Sequence, residues 1–357
     1  MRKHYLDNIR GMTVMLVLLF HVIYMFNGEG IVGVIGPITE HRLQDVLQYM
    51  LYPWFMDILF IVSGISAKLY LDRHSEKEFL RARTRKLLVP STLGLFAFQW
   101  IQGYFNMRIG GGYADVRALP CVLRYCIMAV SGTGVLWTIQ MLWLFSLLLL
   151  LLRRWKKSCK LCEKVNIVSL LLLAIPAWGM AQILNTPIVV CYHFGLYGFC
   201  YFAGYYLFSW DSVIEKLAKY SPYLIGGSAV LCCVYIKCYF GENFAEAPVF
   251  NSPLGIAFAW STCLAVLGGM KRYADKENRF TMFINQRAWG IYVFHYLPLS
   301  ATALLLTEHT ILPAICIYLL TALAAFCGAL ALYAIISRIP LLRWCVLGIK
   351  KEKHHVC

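Results

Sequence analysis

Charge is what this sequence has least of: Asp, Glu, Lys and Arg together make 14% of its 357 residues, against about a quarter in soluble domains. Acidic residues are the scarcer kind, 18 against 33 Lys and Arg, which leaves a formal charge of +15. With 60% of the chain apolar, one aqueous globule cannot hide that surface, and the bilayer must act as much of the solvent. Low-complexity segments, obvious internal repeats and linkers long enough to set off a soluble domain are also missing. A second Cys pair is missing too: Cys159 and Cys162 form a lone C-x-x-C in the loop Arg153–Lys164, so no zinc site at finger spacing is expected. Half of the 14 cysteines lie in apolar runs (Cys191, Cys200, Cys232, Cys233, Cys263, Cys316, Cys327), where Cys serves as a small hydrophobe. The first apolar run continues without a small-residue cleavage site, so a retained first helix is expected rather than a signal peptide.

Long apolar runs are what the chain does have. A spanning helix needs about 20 predominantly apolar residues, and that length places spans near 9–27, 48–70, 87–106, 133–152, 166–184, 189–208, 222–240, 252–270, 288–307 and 311–336. The expected fold is therefore all-α, a polytopic transmembrane helical bundle of about ten spans. The basic residues fall in alternate loops: Arg2, Lys3 and Arg10 at the start, Arg73 to Lys86 after the second span, RRWKKSCK after the fourth, Lys271-Arg272 after the eighth, and Arg338 to Lys353 at the end. The opposite set is poorer in positive charge, and GENFAEAPVFN at 241–251 is net acidic. Positive charge marks the cytoplasmic side, so both termini are expected there. The excess of Lys and Arg is read as topology, with no nucleic-acid partner. The domains expected are a membrane unit over 1–340 and a short basic cytoplasmic tail over 341–357. The longest outer segments are 28–47 and 107–131, the second with an apolar piece, Leu119–Val130, suited to the interface.

Ionisable groups inside spans are costly and line cavities or pair with each other. The first span carries Arg10 and His21. Eleven steps of an α-helix come within about 20° of three full turns, so both side chains share one face, roughly 16 Å apart along the axis. Val14 and Val17 lie between them on that stripe. A cation at the membrane mouth can hold a phosphate-bearing donor. An imidazole deeper in can take a proton from an attacking hydroxyl. Read singly, Arg10 also fits a positive-inside anchor and His21 a packing residue; the shared face favours chemistry. Span nine holds His295, about 12 Å along the helix from Arg287 and at a depth similar to His21. Asp57 in span two can orient a histidine or pair with an arginine, or sit at a helix N-terminus where the dipole suits it. The segment FLRARTRKLLVP at 79–90, if helical, sets Arg81 and Arg85 on one face and Arg83 and Lys86 on another. Such a basic stretch binds the anionic inner leaflet or a donor's phosphates. His193 fits a structural role better.

These residues carry a resemblance. The opening YLDNIRGMTVMLVLLFHV resembles the Leu-Asp-x-x-Arg-Gly start and Arg-x10-His motif of the acyltransferase-3 family of membrane acyltransferases, with Arg10 and His21 at the two positions. Asp57 to Gly64 is similar to that family's second-span motif ending in Ser-Gly. The stretch before Pro90 is like its Arg-rich loop, Leu136-Trp137 like its Leu-Trp span, and Gly290 to His295 like its late span. The likeness runs from about residue 5 to 335. One departure is Arg83-Thr84-Arg85-Lys86, where relatives often show Arg-x-x-Arg. The resemblance implies a ten-helix enzyme of the cell (plasma or inner) membrane that moves an acyl group, commonly acetyl, from cytosolic acyl-CoA to extracytoplasmic carbohydrate, and that needs the Arg and the His.

The expectation drawn is an O-acyltransferase. Arg10, with Arg81, Arg83 and Arg85, holds acetyl-CoA or another acyl-CoA. His21 acts as general base or first accepts the acyl group, and His295, Asp57 or Tyr292 orients it. The acceptor is a glycan or other envelope hydroxyl, and no metal is expected. The alternative is a transporter, which also keeps ionisable residues at mid-membrane. A non-catalytic scaffold is the third reading.

Overall fold

The computed structural model describes residues 3–29, 31, 33–40, 42–153, 165–186 and 192–350. The Cys159–Cys162 pair, Cys191, Arg2, all but the first residue of RRWKKSCK and the tail from Lys351 lie outside the described residues.

Helices and their short connections make up the described chain, with one isolated β-bridge between Asn185 and His193. The helices that matter here are α1 (His4–Tyr24), α2 (Val46–Leu71), α3, α4 (Cys121–Ser131), α5 (Trp137–Arg153), α6 (Ile167–Ala181), α7 (Phe194–Tyr206), α8 (Asp211–Tyr239), α9 (Pro253–Tyr273), α10 (Arg279–Phe294), α11 (Tyr296–His309), α12 (Ala314–Ile336) and α13 (Pro340–Leu347). The third, α3, starts as Glu76–Arg83 and runs on through a π turn at Thr84–Leu88, Val89–Gly94, a second π turn at Leu95–Gln99, and Trp100–Ile109. Six helices among the described residues are long and apolar enough to cross a membrane, or seven if α10 and α11 are one bent span. This is an all-helical, multi-pass membrane protein.

Local chemistry explains the boundaries that differ from the expected ones. Ser75 and Glu78 form a reciprocal capping box, which satisfies free N–H groups and starts α3 eleven residues before the apolar run at 87. Pro222 was expected to open the seventh span but lies inside α8. A proline cannot donate to the carbonyl four residues back, here Ala218, and that oxygen instead accepts from Ser221 Oγ at 2.9 Å and Arg272 Nη1 at 3.4 Å. The ninth span is bent by 56° between α10 and α11, at His295. Pro298 follows three residues later and removes the donor that the Phe294 carbonyl would use, which is the physical cause of such a kink.

The centre of the bundle is α1, packed against α2, α9, α10, α11 and α12. In turn α2 lies against α7 at backbone contact. A Cβ on Gly64 would stand 2.0 Å from the Tyr201 carbonyl, and one on Gly204 would stand 2.1 Å from that of Ile61. Small residues allow such approaches where lipid gives no hydrophobic drive between helices. The connections meet in two sets at opposite ends of the helices. On one side Lys3 bonds Asp211 at 2.5 Å, Asn8 bonds the carbonyls of Ala274 and Lys276, and Lys216 bonds the Val165 carbonyl at 2.8 Å. On the other, Tyr49 donates to the Glu242 carbonyl at 2.6 Å and Arg108 grips Glu308 with 2.6 and 2.8 Å bonds.

Within the stretch expected as a short basic tail over 341–357, residues up to Leu347 belong to α13, whose Cys345, Val346 and Leu347 are buried. Gly348 closes it in the left-handed region, φ 65°, with its N–H on the Trp344 carbonyl and that of Ile349 on Arg343. Glycine takes that conformation at no steric cost. A Cβ there would also stand 2.2 Å from the Arg85 carbonyl, so α13 sits directly on the first π turn of α3.

Candidate active site

The motif at the start of α1 is a clamp as well as a site. Asn8 holds the turn after α9 through the two carbonyls above and accepts from Asn285 Nδ2 of α10 at 2.9 Å. One turn on, Gly11 leaves room for the Asn285 amide, which a Cβ would approach to 2.2 Å. Asp7 accepts from Arg10 Nη1 at 2.8 Å, and Arg10 Nη2 donates to Ser66 Oγ of α2. These contacts fix the guanidinium at the N-terminal end of the bundle.

There Arg10 lines a cavity of about 320 Å³ with Lys3, Asp7, Ser66, Tyr70, Arg73 and His74. Three Lys or Arg side chains face one carboxylate, so the pocket is net positive. The basic segment of α3 adds to it: the charge of Arg83 acts on Arg10, and those of Arg10, Arg83 and Arg85 act on Lys86. Phe79 under the Arg83 guanidinium at 5.1 Å and Trp289 under the Lys86 ammonium at 5.4 Å hold two of them by cation–π contact.

Toward the other end, the last turn of α1 meets the α10–α11 bend. His295 Nε2 lies 3.2 Å from His21 Nδ1. His295 Nδ1 lies 3.0 Å from both the Ile291 and Tyr292 carbonyls, and His21 Nδ1 lies 2.8 Å from that of Val17. Carbonyls only accept, so each Nδ1 carries the hydrogen. This assignment follows from the network: His21 shares its Nδ1–H between Val17 and the bare Nε2 of His295. The lone pair on His21 Nε2 is then free to take a proton, and the imidazolium so formed keeps two acceptors on its other nitrogen. His295, fully buried, stands to His21 as an orienting acceptor does to a general base.

His21 faces a second cavity, of about 640 Å³, walled by aromatic side chains from α1, α2, α7, α10 and α11. Tyr296 meets the His21 ring edge-on at 5.0 Å. Polar groups enter from Asn106, Thr138, Asn243 and Glu246.

A profile of the acyltransferase-3 family, described as an acyltransferase domain, matches residues 3–334. The chain belongs to the acyltransferase-3 family. Curated proteins and solved structures give no match. As a membrane acyltransferase, the protein pairs an electropositive pocket at one end of α1 with an imidazole under a large cavity near the other.

Not every residue singled out in this acyltransferase joins those two places. Asp57 lies inside α2, not at a helix start, and is buried with its Oδ1 lacking a hydrogen-bond partner. Its field reaches the buried thiols of Cys200 and Cys263 on α7 and α9, and among the described residues no hydrogen bond or ion pair joins it to Arg10 or His21. Arg81 is exposed and acts on Glu78 of its own helix. His193 stacks on Phe250 at 3.6 Å and bonds Asn185. The Tyr292 hydroxyl donates to the Val135 carbonyl at 2.5 Å, and the residue touches the histidine pair through its own carbonyl. Lys3 and Arg73 beside Arg10 carry meaning in the sequence only as orientation charges, and Ser66, Asn106, Asn243 and Glu246 are not legible there as site residues. Ser66 is 56 residues from Arg10, and the cavity lining joins α1 and α2 to the 241–251 connection, which lies far from both in the chain. The one local signal available was Pro298, a kink marker three residues after His295.

Proposed function

We propose that this acyltransferase moves an acetyl group from cytosolic acetyl-CoA to a hydroxyl of an extracytoplasmic glycan, with His21 as general base. The observation that carries the reading is the free Nε2 of His21 under a large cavity, its other nitrogen held by His295. The bundle is a ten-span one: the six long helices, the bent α10–α11 pair, and α3, α6 and α7. Arg10 and the basic side of α3 face the cytoplasm by the positive-inside rule, in the plasma membrane or an inner membrane. The connections that meet at that end are those that ten passes with both termini inside would bring together.

In the step proposed, Arg10 with Arg83 and Lys86 holds the donor's phosphates, and the thioester reaches along the α1 stripe past Val14 and Val17. The acceptor O–H enters from the outer cavity. His21 Nε2 takes its proton as the oxygen attacks the thioester carbonyl. The new C–O bond forms, the C–S bond breaks, and the proton passes from His21 to the leaving thiolate. A transporter is the second reading, and the 56° bend of one span is the observation that favours it.

Purified protein in nanodiscs with radiolabelled acetyl-CoA tests the proposal: label should leave CoA and enter added glycan. Uptake of glycan into vesicles with acetyl-CoA intact would support the transporter instead. Arg10→Ala should raise the KM for acetyl-CoA about tenfold or more, the worth of one to two charged hydrogen bonds. Arg81→Ala, remote from the pocket, should leave it within about twofold. Equal effects at both positions would count against a donor site at Arg10.

For His295 the expected result is a fall in kcat of about tenfold or more for His295→Ala, with KM for acetyl-CoA little changed. His295→Gln, which can still accept from His21, should recover part of it. No recovery by Gln with normal folding would reduce His295 to packing.

A further inference from the structure

The two cavities at the ends of the α1 stripe differ in charge. The pocket at Arg10 adds Lys3 and Arg73 against Asp7, a setting for a polyanion. Among the described residues that line the outer cavity, none is Lys or Arg, and the sole carboxylate is Glu246. Glu246 is exposed on the 241–251 connection, at the rim. Below it the walls are rings, including Tyr52, Trp137 and Tyr197, with two neutral amides: Asn106, which also bonds Gln102 and the Ser131 carbonyl, and Asn243, which also accepts from the Ala245 N–H. Two cations of the outer connections are held in ion pairs. Arg42 pairs with Glu29 and Asp45, both side chains fully buried, and Arg108 pairs with Glu308.

An anion moved from water into such a space loses hydration that no lining cation offsets, and it meets a like charge at the entrance. Discrimination of this kind comes from the repulsive element as much as from the attractive one. Neutral hydroxyls suit amide and phenol partners, while the apolar C–H faces of a sugar ring suit aromatic walls. We infer that the sugar unit entering the outer cavity is uncharged and hydroxyl-rich, and that uronate, sialate and phosphate-bearing units are excluded from it.

This inference rests on the proposed acceptor role of the cavity and deepens it. The test separates the two. Binding of soluble oligosaccharides to the full-length protein in nanodiscs is measured by calorimetry, without donor. The probes are a neutral hexose oligosaccharide and the same oligosaccharide oxidised to uronates. The neutral form should bind at least about tenfold tighter, a difference of about 1.4 kcal/mol. Glu246→Gln should narrow the gap, and Glu246→Lys should close or reverse it. Trp137→Ala should weaken the neutral ligand, placing it in this cavity. Uronate binding as tight as neutral binding overturns the inference, as does binding of neither. Acetyl-CoA turnover is measured in parallel on the same preparations. Its absence with the binding preference intact would sink the acyl-transfer reading and leave the charge selectivity of the cavity standing.

Discussion

His21→Ala is expected to lower kcat and kcat/KM for acetyl transfer together by about 10²–10⁴-fold, the range that a positioned general base supplies. The equal loss in both constants is the signature of a group used only in the transition state. KM for acetyl-CoA should change little, because the residues proposed to hold the donor sit about three helical turns away. Folding should survive: the substitution removes the His21 bonds to Val17 and His295 and leaves His295 Nε2 without its donor, a cost of about 1–3 kcal/mol. Steady-state kinetics in nanodiscs, with size-exclusion and thermal melting on the same sample, checks both halves. Full activity in a folded His21→Ala protein would end the general-base scheme, and loss of folding would make His21 structural.

Gly64→Val is expected to remove folded protein altogether. Its Cβ would have to occupy a point 2.0 Å from the Tyr201 carbonyl and 2.9 Å from the Tyr205 nitrogen, both backbone atoms of α7. A flexible side chain could swing away; a helix backbone cannot. The same approach recurs at Gly204 against Ile61, so the two helices would separate along a whole turn. Overpacking a well-filled core costs about 1–3 kcal/mol when side chains can adjust. Here the cost should exceed about 3 kcal/mol, a large part of the roughly 5–15 kcal/mol by which proteins are stable. Fluorescence-detected size-exclusion in mild detergent should show loss of the monodisperse peak, with Gly64→Ala intermediate. An unchanged melting temperature for Gly64→Val would mean that α2 and α7 do not touch as described.

Both results bear on how α1 works as the axis of the site. The motif that opens it holds Arg10 by Asp7 and Ser66 and docks the helix through Asn8 onto α10 and the turn before it. The helix carrying Arg10 and His21 is thereby tied to the one that ends at His295. A change at Asn8 or Asn285 would act on the histidine pair by moving helices, without touching the cavity.

The sequence by itself determined the class, the positions of the long apolar helices, and the common face of Arg10 and His21. All three depend on near-neighbour chemistry: apolar length sets a span, and helical period sets a face. The family followed from the same short runs. The meeting of His21 with His295 required tertiary structure, since the two are separated by 274 residues and brought level by the bend before Pro298. So did the place of Asp57, because period alone does not say which side of α2 looks toward α1 and which toward α7 and α9. The basic segment shows the limit most clearly. Helical period sets Arg81 with Arg85 and Arg83 with Lys86, but α3 carries a π turn at Thr84–Leu88, after Arg81 and Arg83, and Gly348 after α13 sits on the Arg85 carbonyl. A π turn adds a residue to the helical period, which straight-helix arithmetic does not include; in the fold the charges of Arg83 and Lys86 reach Arg10 while Arg81 is exposed.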